Sequence, residues 1–259
     1  MISTALSHGA TGYTFSTHPA NLEILSALKN SPEVKREFDL YPVLPYAEGY
    51  VRLANEKGMS GLVKEVLSRL STSDKAKAVV GGGFSAVRFD LFGMLRAYLD
   101  AELRSYLKVR PENSNLRGVL LHEVLTDLCL GLEDTRVLDL FVRHIRDKYK
   151  VTPGFVTYNF AKFVKLIRDA ALPLSDVMIM TPFNSVGFQM SPSRHSCEAC
   201  LPNMSEGSVI AMSVLAGGFL KLDQAIDYLR TLPNLSGIAV GVSSKDHAKD
   251  TFAKLSALS

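Results

Sequence analysis

Short apolar runs alternate along this chain with longer stretches in which apolar residues recur every three or four positions. A short apolar run bounded by Gly or Pro reads as a strand, and a 3.6-residue recurrence reads as a helix. Residues 12–16 and 38–44 are the first two predicted strands, the second ended by Pro45. Between them His18-Pro19 opens a helix carried by Asn21, Leu22, Leu25 and Leu28. A helical region then runs to about residue 70, broken in two by Gly58 and Gly61. Residues 75–89 fit two readings: a strand over 76–80 closed by Gly81-Gly82-Gly83, or a helix stopping at those glycines. Residues 90–107 read as a helix with Leu91, Met94, Leu95, Tyr98 and Leu99 on one face. Five strands follow, at 118–121, 154–158, 176–181, 208–213 and 237–242, with helices at 135–149, 161–171, 222–232 and 245–258.

Strands that alternate with helices pair in parallel through crossover helices. With a third strand in the ambiguous stretch the count is eight, and the expectation is a single-domain α/β (β/α)8 TIM barrel over residues 1–259. The competing open, doubly wound sheet calls for a Gly-rich turn after its first strand, whereas Gly12 stands alone there. The chain is 47% apolar and 21% charged, which excludes intrinsic disorder. Its 29 Lys and Arg against 26 Asp and Glu leave +3, too little to imply a nucleic-acid partner by charge. No apolar run reaches the ~18 residues that span a bilayer. The polar first ten residues do not read as a secretory signal. Three cysteines, Cys129, Cys197 and Cys200, make no disulfide framework, so a reducing cytoplasm is the expected compartment.

Ligands of such barrels bind at the C-terminal ends of the strands, and that rule selects the polar residues to weigh. The fourth predicted strand delivers His122 and Glu123, with Asp127 four residues on. His122 suits a general acid and Glu123 a base or orienting partner; alternatively Glu123 caps a helix and His122 is packed. The fifth delivers Tyr158 and Asn159, a phenolic donor and a carbonyl partner, or else core filling and a helix N-cap. After the sixth, a long polar loop carries Asn184, Gln189 and Arg194, candidates for holding a polar substrate. After the seventh come Ala216, Gly217 and Gly218, and after the eighth Gly241, Ser243, Ser244 and Lys245 at the start of the last helix. Glycines that let the backbone approach, hydroxyl donors, a Lys and a helix N-terminus together suit a phosphate group. They otherwise make only a turn and a cap. Cys197 and Cys200 have CxxC spacing, but no second pair completes a metal site. No metal is expected. On the early strands Tyr13, Ser16, Asp39, Tyr41 and Tyr46 are weaker candidates. Asp39 falls at the wrong strand end and Tyr41 is expected to face the mouth.

From Arg117 onward the chain resembles the aldo-keto reductases. Leu116-Arg117-Gly118-Val119-Leu120-Leu121-His122 is similar to the strand that delivers that family's active-site histidine. Thr157-Tyr158-Asn159-Phe160-Ala161 is similar to its amide-binding segment. Residues 208–220 are similar to its seventh strand and nucleotide-phosphate loop, and residues 238–246 to the end of its eighth strand. The family's Asp, Tyr and Lys segments find no match in the first half, where Tyr46 or Tyr50 and Lys75 or Lys77 lie only near the corresponding places. The resemblance implies NADPH binding and carbonyl reduction. Two other expectations stay open: a lyase, isomerase or hydrolase acting on a phosphorylated metabolite, with His122 and Glu123 as acid and base, and a non-catalytic barrel that binds a small molecule.

Overall fold

The computed structural model describes residues 1–29, 37–46, 91–171, 177–204 and 208–257. The predicted helices to residue 70 and the ambiguous stretch at 75–89 lie outside these residues. Eight parallel strands make one sheet: β1 (Gly12–Ser16), β2 (Phe38–Leu44), β3 (Ser114–Leu116), β4 (Gly118–Leu121), β5 (Thr152–Val156), β6 (Met178–Pro182), β7 (Ser208–Met212) and β8 (Leu235–Ile238). The helices are α1 (Ile2–Ser7), α2 (Pro19–Lys29), α3 (Leu91–Val109), α4 (Glu123–Leu132), α5 (Arg136–Tyr149), α6 (Phe160–Asp169), α7 (Arg194–Glu198), α8 (Leu222–Leu229) and α9 (Lys245–Ser256).

The strand order is β1-β2-β4-β5-β6-β7-β8, with β3 also on β2. The order never reverses, so right-handed crossovers lay the connecting helices on one face. The packing agrees. Leu44, Val119, Leu121, Phe155, Ile179, Val209 and Ala211 share one buried cluster with residues of α3 to α8, including Leu99, Phe141, Phe163 and Leu229. Their strand neighbours Val43, Leu120, Val156 and Met180 form a second cluster, joined by Tyr41, Ile210, Met212 and Ala239, to which none of the described helices adds a residue. The topology is therefore a singly wound, half-barrel α/β sheet, and the doubly wound alternative is excluded. Among the described residues no ladder joins β8 to β1. The chain ends do meet, because α1 packs on α9.

Three predicted features are corrected. First, β2 pairs directly with β3 and β4 (Leu40↔Leu116, Val43↔Leu120), so the strand ending at Leu121 is the next in the sheet after β2 and no strand intervenes. Its N-terminal continuation β3 escaped notice because Ser114-Asn115 is polar. Second, β5 and β8 end at Val156 and Ile238, earlier than predicted, because the strand-favouring residues Thr157 and Tyr158 and the run 239–242 fall in the loops beyond them. Third, Tyr41 does not face the mouth. Its hydroxyl approaches the Asp39 carboxylate at 3.4 Å, toward the N-terminal end of β2, and its ring covers Gly12, where a Cβ would come within 2.8 Å of it. A similar close approach requires glycine at 118. A Cβ there would meet Met178 Cε at 2.6 Å and the Thr152 carbonyl oxygen at 2.9 Å. The interior near the N-terminal strand ends is thus filled by large side chains set against glycines, and the polar groups gather at the other end.

Candidate functional site

His122 follows β4 directly. Its backbone N–H donates to the Leu44 carbonyl at 2.6 Å, which ties it to the neighbouring strand exit. His122 is itself the N-cap of α4, and Nδ1 accepts from the Val124 N–H at 3.3 Å. The helix start expected at Glu123 is there, but the cap is the residue before it. The Glu123 carboxylate lies 3.2 Å from the same Nδ1, and both side chains are mostly buried (13% and 24% exposed). One nitrogen cannot accept from Val124 and donate to Glu123 at once. In the neutral ring that caps the helix the proton therefore sits on Nε2. In the imidazolium, Nδ1–H turns to Glu123. In both of these forms Nε2 carries a proton that can be donated to a ligand, whereas the neutral ring with Nδ1–H on Glu123 presents Nε2 as an acceptor.

Tyr158 and Asn159 leave β5 beside this pair. Burial holds the Tyr158 phenol above its ordinary pKa, and the Glu123 and Asp127 carboxylates push the same way. This hydroxyl keeps its proton and is available as a hydrogen-bond donor. Asn159 precedes α6 but makes no side-chain cap. Its Oδ1 is buried with no hydrogen-bond partner, as is Thr181 Oγ1 on the next strand. A buried acceptor without a donor is costly, so such an atom marks a place where a ligand or water belongs.

Two carboxylates that the sequence left unassigned complete this end of the sheet. Asp127 on α4 accepts from Thr157 Oγ1 at 2.5 Å and from the Tyr158 N–H at 3.1 Å. Glu102 on α3 accepts from Tyr98, from Thr17 Oγ1 at 2.8 Å and from the Tyr46 N–H at 3.1 Å, joining the exits of β1 and β2. The signal for Glu102 was its position on the apolar stripe of its helix, three and four residues after Leu99 and Tyr98.

The remaining candidates divide. Asn184 is fully buried, and its amide ties its loop to the exit of β7: Nδ2 donates to the carbonyls of Phe188 in its own loop (2.9 Å) and of Ser213 just after β7 (3.3 Å), and Oδ1 accepts from the Phe188 N–H at 2.7 Å. Gln189 Oε1 accepts from Ser213 Oγ at 3.1 Å. Arg194 binds the Ser185 carbonyl and lies 3.3 Å from Glu198. These three side chains brace the loop between β6 and α7 rather than meeting at His122. At the exit of β7, Ala216, Gly217 and Gly218 take φ values of 49°, 68° and 92° in succession, a left-handed run that suits the two glycines. At the exit of β8, Ser244 caps α9 by accepting from the His247 N–H at 3.1 Å. Ser243 Oγ lies 3.3 Å from His247 Nδ1. Gly241, Ser243 and Lys245 are exposed. Neighbouring strands carry both loops to the same end of the sheet as His122.

Burial pushes the Cys197 thiol up to about 11 and raises that of Cys200, so neither is a thiolate at neutral pH. Among the described residues no group of three His, Cys, Asp or Glu could hold a metal ion, and no helix is long and apolar enough to cross a membrane. Neither a scan of protein-family models nor a search of curated proteins finds a match to this chain.

Proposed function

We propose that the sheet is the wall of a (β/α)8 barrel and that the chain is an enzyme binding a phosphate-bearing ligand. The preferred reading is NADPH-dependent carbonyl reduction, with His122 donating the proton. The observation that carries it is the gathering of His122, Glu123, Tyr158 and a partnerless Asn159 oxygen at the exits of two paired strands. Support for closure comes from the unreversed strand order, the helix-free inner cluster and the packing of α1 on α9. Closure would bury the amides of β1 that point away from β2. Hydrogen exchange as slow at those amides as at the β2-facing ones supports it, and solvent-like exchange rejects it.

The site's residues suit the nucleotide. The buried Asn159 oxygen is the acceptor that a carboxamide N–H needs. Gly217, Gly218, Gly241, Ser243, Ser244 and Lys245, with the start of α9, would hold phosphate. The bound cofactor would supply the hydride. His122 Nε2–H would polarise the substrate carbonyl and pass its proton to the oxygen, and Tyr158 would donate a second hydrogen bond. Glu123 would stabilise the imidazolium before transfer.

Lys245→Ala is expected to weaken NADPH binding about fivefold to tenfold, the effect of removing one ammonium-to-phosphate bond near a helix N-terminus. It should also abolish thermal stabilisation by inorganic phosphate. Equal affinities for the variant and the wild type would remove this loop from the site. A second reading, acid–base chemistry on a phosphorylated metabolite without a nicotinamide, draws on the 3.2 Å His122–Glu123 contact, which is an acid–base pair by itself. Stabilisation by a sugar phosphate without NADPH binding would favour it.

A further inference from the structure

We infer that Asp127, acting through Thr157, is the positioning residue that sets Tyr158 and Asn159 for ligand binding. The inference rests on the nucleotide reading above. Asp127 stands on α4, one helical turn after Glu123, while Tyr158 and Asn159 leave a different strand. Its two oxygens divide the work. Oδ2 accepts from the Tyr158 N–H at 3.1 Å. Oδ1 accepts from Thr157 Oγ1 at 2.5 Å, and that same hydroxyl accepts from the Asn159 N–H at 3.0 Å. Both backbone N–H groups of the site residues on β5 are thereby fixed by one carboxylate, one directly and one through a single hydroxyl.

The orientation of the side chains makes this a positioning role. Phe155 faces the helices and Val156 the inner face; just past the strand end Thr157 turns back to α4, where its hydroxyl meets Asp127, and Tyr158 lies within the field of Glu123 and Asp127. Thr157 is fully buried. Asn159 has no cap bond that would fix its side chain, so its backbone is what aims the partnerless oxygen. Burial favours the protonated form of Asp127, and the bonds from Thr157 and Tyr158 oppose that shift. A carboxylate is kept in this half-buried place by its hydrogen-bond partners on the β5 exit.

The test uses the full chain with Asp127→Asn, Thr157→Val and Thr157→Ser, and two probes: NADPH and 2′-phospho-ADP-ribose, which lacks the carboxamide. The first two variants should bind NADPH about tenfold more weakly, the effect expected for a misaligned buried hydrogen bond, with 2′-phospho-ADP-ribose bound within about twofold of wild type. Thr157→Ser, which keeps the hydroxyl, should recover NADPH affinity. Amide exchange at Tyr158 and Asn159 should quicken in the first two variants and return in the third. Unchanged NADPH affinity, or an equal loss for both nucleotides, would overturn the inference. If wild type binds neither nucleotide, the reading above fails. In that case quickened exchange confined to Tyr158 and Asn159 upholds the positioning role, and unchanged exchange overturns it.

Discussion

His122→Ala is expected to lower turnover by about 10²–10⁴-fold, the usual contribution of a positioned general acid, while the affinity for NADPH changes by less than about threefold. The structure supplies a control for the obvious objection. His122 also caps α4, and losing a cap costs about 1 kcal/mol of stability. Asn is a good N-cap and a poor acid. His122→Asn should therefore keep the stability of wild type and lose as much turnover as the alanine variant. If His122→Asn retained turnover, His122 would be a capping residue only. If affinity fell as far as rate in both variants, its role would be in binding.

The second large effect is expected far from the mouth, between α3 and α5. Asp100 is 8% exposed and accepts from His144 Nε2 at 2.7 Å, Lys148 Nζ at 2.5 Å and the Tyr149 hydroxyl at 2.6 Å. Lys148 is half exposed and stays solvated without Asp100, but His144 and the Tyr149 hydroxyl lose a buried partner. Asp100→Ala should lower unfolding stability by about 3 kcal/mol in urea at neutral pH. Burial by itself would raise this carboxyl's pKa, but the bonds from His144, Lys148 and Tyr149 outweigh it and bring it from 3.8 to about 2. A group whose native pKa lies below its unfolded one stabilises the fold above the unfolded value and loses that contribution as pH falls through the native one. Asp100 should therefore contribute about 1 kcal/mol, the shift discounted for solvent screening at Lys148, that disappears between pH 4 and pH 2. The acid limb of the wild-type stability curve should be steeper there than that of Asp100→Ala. Parallel limbs would contradict this assignment. Asp127, shifted upward, has the opposite sign and contributes a loss of stability as pH rises through its native value.

Most of the sheet was legible because its strands are short apolar runs bounded by Gly and Pro; residues 12–16 and 38–44 hold as β1 and β2 without adjustment. The misjudged strand ends share one cause. In 154–158 and 237–242 strand-favouring residues continue past Val156 and Ile238, where pairing fades after a single backbone bond each, from Thr157 to Met180 and from Ala239 to Ala211, so composition alone carries the strand too far. The helix α1 was unreadable because its six residues show no polar-to-apolar contrast beyond one turn. The polar residues at the strand exits were legible where they closely follow a strand, as His122 and Tyr158 do. The site was illegible where a helix reaches across to another strand's exit, because Asp127 is 30 residues from its partner Thr157 and Glu102 is 85 from Thr17. Asn184 shows the converse. An Asn in a long polar loop suggests a ligand, yet its side-chain amide is taken up by Phe188 in that loop and by the Ser213 carbonyl at the exit of β7.

The central claim is that the mouth of this sheet binds a phosphate-bearing nucleotide beside His122. A fluorescence titration with NADPH tests it most directly, with inorganic phosphate as competitor and Lys245→Ala as the matched variant. The account predicts saturable binding that phosphate displaces and that the variant weakens. NADPH fluorescence that never saturates, together with no thermal stabilisation by phosphate or a sugar phosphate, would leave the two loops as turns and contradict the account.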